Sequence, residues 1–148
     1  EAGIRDSVAS RGRGDVYKRQ LDGRVALVTG SSTGLGKAIA FGLARCGAKV
    51  ALNYYNNEER AAKTFSEFEA EGFEGLMLRA DVSEEESVNA LCAEVAEKLG
   101  GIDILVVNAT PDQPQMPIEE FTWKHFQTMI DFFIKSPYLL TRAVLPHM

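Results

Sequence analysis

From Leu21 onward the apolar residues alternate between two spacings, and each change of spacing marks a new element. Arg24 to Thr29 (RVALVT) is a short, continuous apolar and β-branched run, the pattern of a strand buried on both faces of a parallel sheet. Gly30 to Gly36 interrupts it. Leu35, Ile39, Ala40 and Leu43 then recur at helical spacing, with Gly47 placed as the helix stop. Val50 to Asn53 predicts a second strand. Glu58 to Glu71 predicts a second helix with Ala61, Ala62, Phe65 and Phe68 inward and Gly72 as its stop. Leu76 to Ala80 predicts a third strand. Ser83 with Glu86 three residues on reads as a capping box opening a third helix, whose apolar stripe is Val88, Leu91, Cys92, Val95 and Leu99 and which ends at Gly100. Ile102 to Asn108 is the fourth predicted strand.

Three prolines between Thr110 and Pro117 exclude a ladder or a helix interior there, so that stretch is a loop. Helix resumes near Thr122. Trp123, Phe126, Ile130, Phe133 and Ile134 carry the helical pattern, which Leu139, Leu140, Ala143 and Val144 continue beyond Pro137, and a break or kink is expected near Ser136 and Pro137. Strands alternating with helices imply right-handed parallel βαβ units. The fold class expected is therefore α/β, a Rossmann-type doubly wound parallel sheet in strand order 3-2-1-4. No later strands follow the fourth in this chain, so the sheet is read as truncated and the domain, residues 21–148, as incomplete.

The first twenty residues do not share this patterning. Asp15 to Gln20 back-translates as GAT GTG TAT AAG AGA CAG, which resembles the transposon end used in shotgun sequencing libraries, and Ser10 to Gly14 and Glu1 to Asp6 each differ from that adapter by one residue. Residues 1–20 are accordingly expected to be translated adapter rather than native protein. Setting aside their five basic and three acidic residues changes the formal charge from −5 to −7. An acidic domain with no long basic run argues against nucleic acid as the partner, and no stretch reaches the roughly 18 apolar residues of a membrane span. A small metabolite in a cytoplasmic setting is the expected context. Cys46 and Cys92 both fall within amphipathic patterns and read as reduced core thiols rather than metal ligands.

The chemistry-bearing feature is the octet Thr29-Gly30-Ser31-Ser32-Thr33-Gly34-Leu35-Gly36, TGxxxGxG, between the first strand and the first helix. Residues without a Cβ let backbone approach a pyrophosphate, and the following helix directs free N–H groups and a partial positive charge at it. Gly36 also permits close packing of helix on strand. Asp81-Val82 closes the third strand and Asn108-Ala109 the fourth, at the carboxyl edge where open α/β sheets bind ligands.

With this octet, Asp81-Val82, Asn108-Ala109 and the KSPYLLTRAVLPHM segment, the chain from about Leu21 to Met148 resembles the short-chain dehydrogenase/reductase family, classical subgroup. The resemblance implies an NAD(P)-binding site built from Gly30, Ser32, Thr33, Gly34, Leu35, Gly36, Tyr54, Asp81, Val82, Asn108 and Ala109. In it, Asp81 accepts the adenine amino group, Val82 lines the adenine pocket, and Asn108 with Ala109 passes beside the ribose. It also implies hydride transfer between the cofactor and a carbonyl or alcohol substrate, and homo-oligomerisation of the full-length protein. The closest sub-class is a 3-oxoacyl-acyl-carrier-protein-reductase-like enzyme, with a sugar or polyol dehydrogenase nearly as well matched. At the end of the second strand, Asn53-Tyr54-Tyr55-Asn56-Asn57 offers no acid to repel a 2′-phosphate, which favours NADP over NAD; Thr33, however, stands where many NADP enzymes carry Arg, so the usual cation is missing.

Two positions depart from the family pattern. Thr110 replaces the Gly that usually follows Asn-Ala, and Phe133 stands where an Asn supports the proton-relay water, although its place on the helical stripe also makes it a core residue. The family's catalytic Ser and Tyr-x-x-x-Lys lie beyond the matched segment, so no catalytic residue is assigned here. His125 and His147 have no partnered nucleophile. The alternatives left open are a non-catalytic dinucleotide-binding protein and an interrupted read.

Overall fold

The computed structural model describes residues 20–113 and 115–148. The adapter-like segment therefore lies almost wholly outside the described residues. Four strands, β1 (Val25–Val28), β2 (Lys49–Tyr54), β3 (Gly75–Arg79) and β4 (Ile104–Val106), form one parallel sheet in the order β3-β2-β1-β4. Helices α1 (Gly34–Arg45), α2 (Glu58–Ala70) and α3 (Glu85–Leu99) alternate with them, followed by α4 (Trp123–Ile130), a π-helical turn (Asp131–Lys135) and α5 (Ser136–Val144). This is the α/β order expected from the two spacings.

The central strand shows why the pattern worked. Alternate side chains of a strand point to opposite faces. Val25 and Leu27, with Ala51, pack under Val88, Leu91, Val95, Leu139 and Leu140 of α3 and α5. On the other face Ala26 and Val28, with Val50 and Leu52, meet Ala40, Phe41, Ala44 and Phe68 of α1 and α2. An apolar residue is needed at every position, which is what Val25 to Val28 (VALV) supply. Phe68 is completely buried, with Phe41 edge-on at 5.3 Å and Phe73 at 5.2 Å between ring centroids. Burial also pushes the Cys92 thiol up to about 11, leaving it an inert core residue, whereas Cys46 is only half-buried.

Local competition accounts for several differences from expectation. Ser83 is not the cap of α3. Its hydroxyl and backbone N–H both donate to Asp81 Oδ1, at 2.7 and 2.9 Å, and Glu84 takes the cap position instead. On α2 the inward stripe is Ala61, Thr64, Phe65 and Phe68; Ala62 faces solvent, and Thr64 replaces it because its hydroxyl has a buried carbonyl to meet. β4 is shorter than Ile102 to Asn108 because its flanking N–H groups are taken elsewhere: Ile102 N donates to His147 O and Asn108 N to Thr29 Oγ1. Asp103, just before β4, accepts from Val25 N (2.8 Å) and Arg24 (2.6 Å), and these contacts hold its carboxyl below the usual carboxylate range.

The interruption expected near Pro137 takes the form of the π turn. Ser136 N–H reaches back five residues to Asp131 O, immediately before a proline that has no N–H to continue the helical ladder. The helical stripe through this segment does not find a core: Trp123, Phe126, Ile130, Phe133 and Ile134 are all exposed. Phe133, 46% exposed, is thus not a core residue.

Candidate functional site

The carboxyl ends of all four strands open into one cleft of about 920 Å³, within the ~300–1,000 Å³ usual for small-molecule sites. All eleven residues singled out from the sequence line it. Gly30 to Gly36 form its floor between β1 and α1. Tyr54 stands at the end of β2, Asp81 and Val82 follow β3, and Asn108 and Ala109 follow β4.

The glycine-rich loop is held rigidly by its neighbours. Ser31 Oγ donates to Val28 O (2.7 Å) and accepts from Asn53 N (2.9 Å), while Thr64 Oγ1 donates to Ser32 O (2.8 Å). Asn53, only 2% exposed, accepts from Gly30 N at 3.1 Å and directs its amide N–H groups at the carbonyls of Tyr54 and Ala80, both at 3.2 Å. One amide thus ties the loop after β1 to the ends of β2 and β3. On the other flank Asn108 Nδ2 donates to Thr29 O (3.0 Å) and Gly30 O (3.1 Å), and Thr29 Oγ1 accepts from Asn108 N and Ala109 N. Asn108 is therefore a strand-end clamp on the loop. A Cβ on Gly36 would collide with Asn108 Nδ2 and lie 2.5 Å from Gly30 O; one on Gly30 would lie 2.8 Å from Ala109 Cα, on a backbone already at φ +62°. The two glycines are what allow loop, helix and β4 to converge.

This frame is suited to a diphosphate. The first turn of α1 carries no acidic residue and Thr33, its cap, makes no side-chain bond to the helix, so the first-turn N–H groups and their partial positive charge face the cleft unopposed. Leu35 is 70% exposed and lines the cleft; it does not belong to the core stripe of α1, which Ala40, Phe41 and Ala44 provide. Asp81 presents a carboxylate, and its backbone N–H is anchored on Ser87 Oγ at 2.8 Å. The fit to a dinucleotide rests on these features: a cradle of glycines, free helix N–H groups, and acceptors at both strand ends.

Sequence reasoning passed over three contributors. The sequence places Asn53 at a strand end and in the acid-free run after it and does not single out Thr64, yet both hold the loop; for Asn53 the available signal was a polar residue ending an apolar strand. Arg60, in the first turn of α2, lines the cleft beside Tyr54 to Asn57. The cleft thus has a cationic side chain although Thr33 stands in the glycine loop, and nothing in the local pattern of α2 distinguishes it. At the β4 side Thr110 faces the cleft as expected, joined by Pro111, Asp112 and Phe132. The π turn brings Phe132, not Phe133, to the lining. His125 is occupied at the start of α4, where its Nδ1 accepts from Thr122 N, and neither it nor His147 reaches the cleft. Among the described residues no group of three His, Cys, Asp or Glu gathers as a metal site, and no helix is long and apolar enough to cross a membrane.

A family model described as short chain dehydrogenase matches residues 24–148. The chain belongs to this family. Among its short-chain dehydrogenase relatives, a 2-dehydro-3-deoxy-D-gluconate 5-dehydrogenase from Formosa agariphila is 32% identical over 128 residues, 86% of this chain and 48% of that protein. A 3-oxoacyl-acyl-carrier-protein reductase FabG from Staphylococcus aureus is 35% identical over 125 residues, 83% of this chain and 50% of the relative. The crystal structure of a short chain dehydrogenase from Burkholderia cenocepacia J2315 in complex with NADP superimposes with a TM-score of 0.80 at 34% identity, covering 86% of this chain and 52% of the other. The chain spans about half the length of the short-chain dehydrogenase relatives it matches.

Proposed function

We propose that residues 24–148 are the cofactor-binding half of an oxidoreductase that moves a hydride between NADP(H) and a carbonyl or alcohol. The observation that carries this reading is the clamped glycine loop facing a cleft at the β1/β4 switch point, where the order of the sheet reverses. When bound, the nicotinamide accepts or delivers the hydride. The chain's own residues bind and orient: Gly30 to Gly36 and the start of α1 hold the diphosphate, Asp81 accepts the adenine amino group with Val82 beside the ring, and Asn108 and Ala109 border the ribose. Thr110 and Phe132, which line the cleft beyond Ala109, would border the nicotinamide end. The NADP complex of the Burkholderia cenocepacia relative supports the choice of cofactor.

The Staphylococcus aureus relative favours a 3-oxoacyl substrate, and the Formosa agariphila relative favours a sugar acid. Stopped assays of NADPH consumption by the complete protein, with a 3-oxoacyl thioester and with a keto sugar acid, separate the two. Binding of NADPH without turnover of any carbonyl would instead establish a non-catalytic dinucleotide-binding protein, and no binding of either dinucleotide would refute the reading. For residues 1–20 we keep the adapter reading; codons in the nucleotide sequence that cannot spell the adapter would overturn it.

A further inference from the structure

We propose that Arg60 is the residue that selects a 2′-phosphorylated dinucleotide, by receiving the phosphate on the adenosine ribose. This rests on the dinucleotide reading of the cleft and adds the choice between two cofactors that differ only in that phosphate. Among the described residues Arg60 is the one cationic side chain lining the cleft. It lies on the β2 side, with Tyr54, Asn56 and Asn57, whereas the two lining carboxylates, Asp81 and Asp112, follow β3 and β4.

The neighbouring cations are committed elsewhere. Lys37 pairs with Glu67, and Arg79 donates through Nε to Tyr55 O at 3.1 Å. Arg60 takes part in none of the ion pairs among the described residues. Its backbone is fixed, because Asn57 Oδ1 accepts from Arg60 N at 2.8 Å and so sets where α2 begins. A fixed backbone and an unpaired guanidinium give a fork that matches two phosphate oxygens, with the neutral amides of Asn56 and Asn57 beside it in place of a repelling carboxylate. Glu58 and Glu59 share that first turn but do not line the cleft.

The test measures the affinities of NADP+ and NAD+, and of 2′,5′-ADP and 5′-ADP, for the complete protein carrying Arg60→Ala, Arg60→Lys or the control Lys63→Ala. Lys63 is an exposed lysine of α2 outside the cleft, so its loss makes the same change in net charge. The wild type is expected to prefer the 2′-phosphorylated member of each pair. Arg60→Ala should lower that preference roughly 10–100-fold, Arg60→Lys should restore part of it, and Lys63→Ala should leave it unchanged. The preference should also weaken as salt is raised. Preferential NADP+ binding that survives Arg60→Ala, or an equal loss in Lys63→Ala, overturns the role of Arg60 while leaving the dinucleotide site intact. A wild type that prefers NAD+ does the same. Failure to bind any of the four ligands overturns both readings.

Discussion

Two regions of this chain treat their side chains in opposite ways. Between β1 and α2, buried polar groups such as Ser31, Asn53 and Thr64 have backbone partners, and aromatic rings pack on one another in the interior. Between Ile118 and Ile134, by contrast, Ile118, Trp123, Phe126, Ile130, Phe133 and Ile134 face outward, and the helix widens into a π turn before α5 returns to the core with Leu139 and Leu140. The first region finds partners for these groups within itself and along β4, which pairs with β1 and clamps the glycine loop through Asn108. The second repeats the helical pattern just as faithfully, but among the described residues its stripe stays exposed, with only Phe121 packed edge-on against Phe126. Amphipathic spacing therefore specifies a helix face, and only an opposing surface turns that face into core.

The comparison is tested most strongly by removing one aromatic from the first region. Phe68→Ala should cost about 3–5 kcal/mol of stability, read by denaturant unfolding. A loss below about 1 kcal/mol would mean that the Phe41, Phe68 and Phe73 cluster is looser than its packing indicates. Gly36→Ala comes next. Its methyl group has to displace Asn108 or the Gly30 carbonyl, so a loss of about 2–3 kcal/mol is expected together with loss of dinucleotide binding. An alanine variant that melts and binds like the wild type would contradict the clamped loop.

Asp103, just before β4, fastens the start of β1 in the first region through Arg24 and Val25, and its effect depends on pH. Its folded-state pKa is lowered, so its stabilising contribution is fully present above the unfolded carboxylate value near 4 and is lost as pH falls through the folded value. Asp103→Asn should remove this loss, flattening the acid limb of a stability-against-pH curve; an unchanged limb would place the acid sensitivity elsewhere. The smallest effect belongs to the second region. Trp123→Ala, at a residue 71% exposed, should change the stability of the 148-residue chain by no more than about 0.5 kcal/mol. A cost approaching that of Phe68→Ala would show that the two regions are packed alike after all.

Most of the α/β order and the cleft-lining positions were legible because they rest on local signals: a change of period, a glycine run at a strand-to-helix junction, polar pairs at strand ends. Ser83 misled because a serine before a helix has two local partners, the helix N–H groups and a preceding aspartate, and here Asp81 wins. Ala62 misled for a simpler reason. Alanine suits either face of a helix, and the buried position went to Thr64, whose hydroxyl meets Ser32 O. Arg60 was invisible as a site residue because its role depends on α2 starting beside the cleft mouth, a matter of how β2 and α2 are placed relative to the glycine loop.

By itself the sequence determined the succession of strands and helices, the phosphate-type loop and the membership of Asp81, Val82, Asn108 and Ala109 in strand ends, since each follows from periodicity or from a residue's own backbone preference. The tertiary structure alone decided that Asn53 and Asn108 clamp the loop from opposite sides, that Phe132 rather than Phe133 enters the cleft, and that Arg60 supplies its cation. Those outcomes depend on which distant groups meet. A helical period is indifferent to what lies opposite it, and a hydrogen bond forms with whichever partner the folded sheet brings within reach.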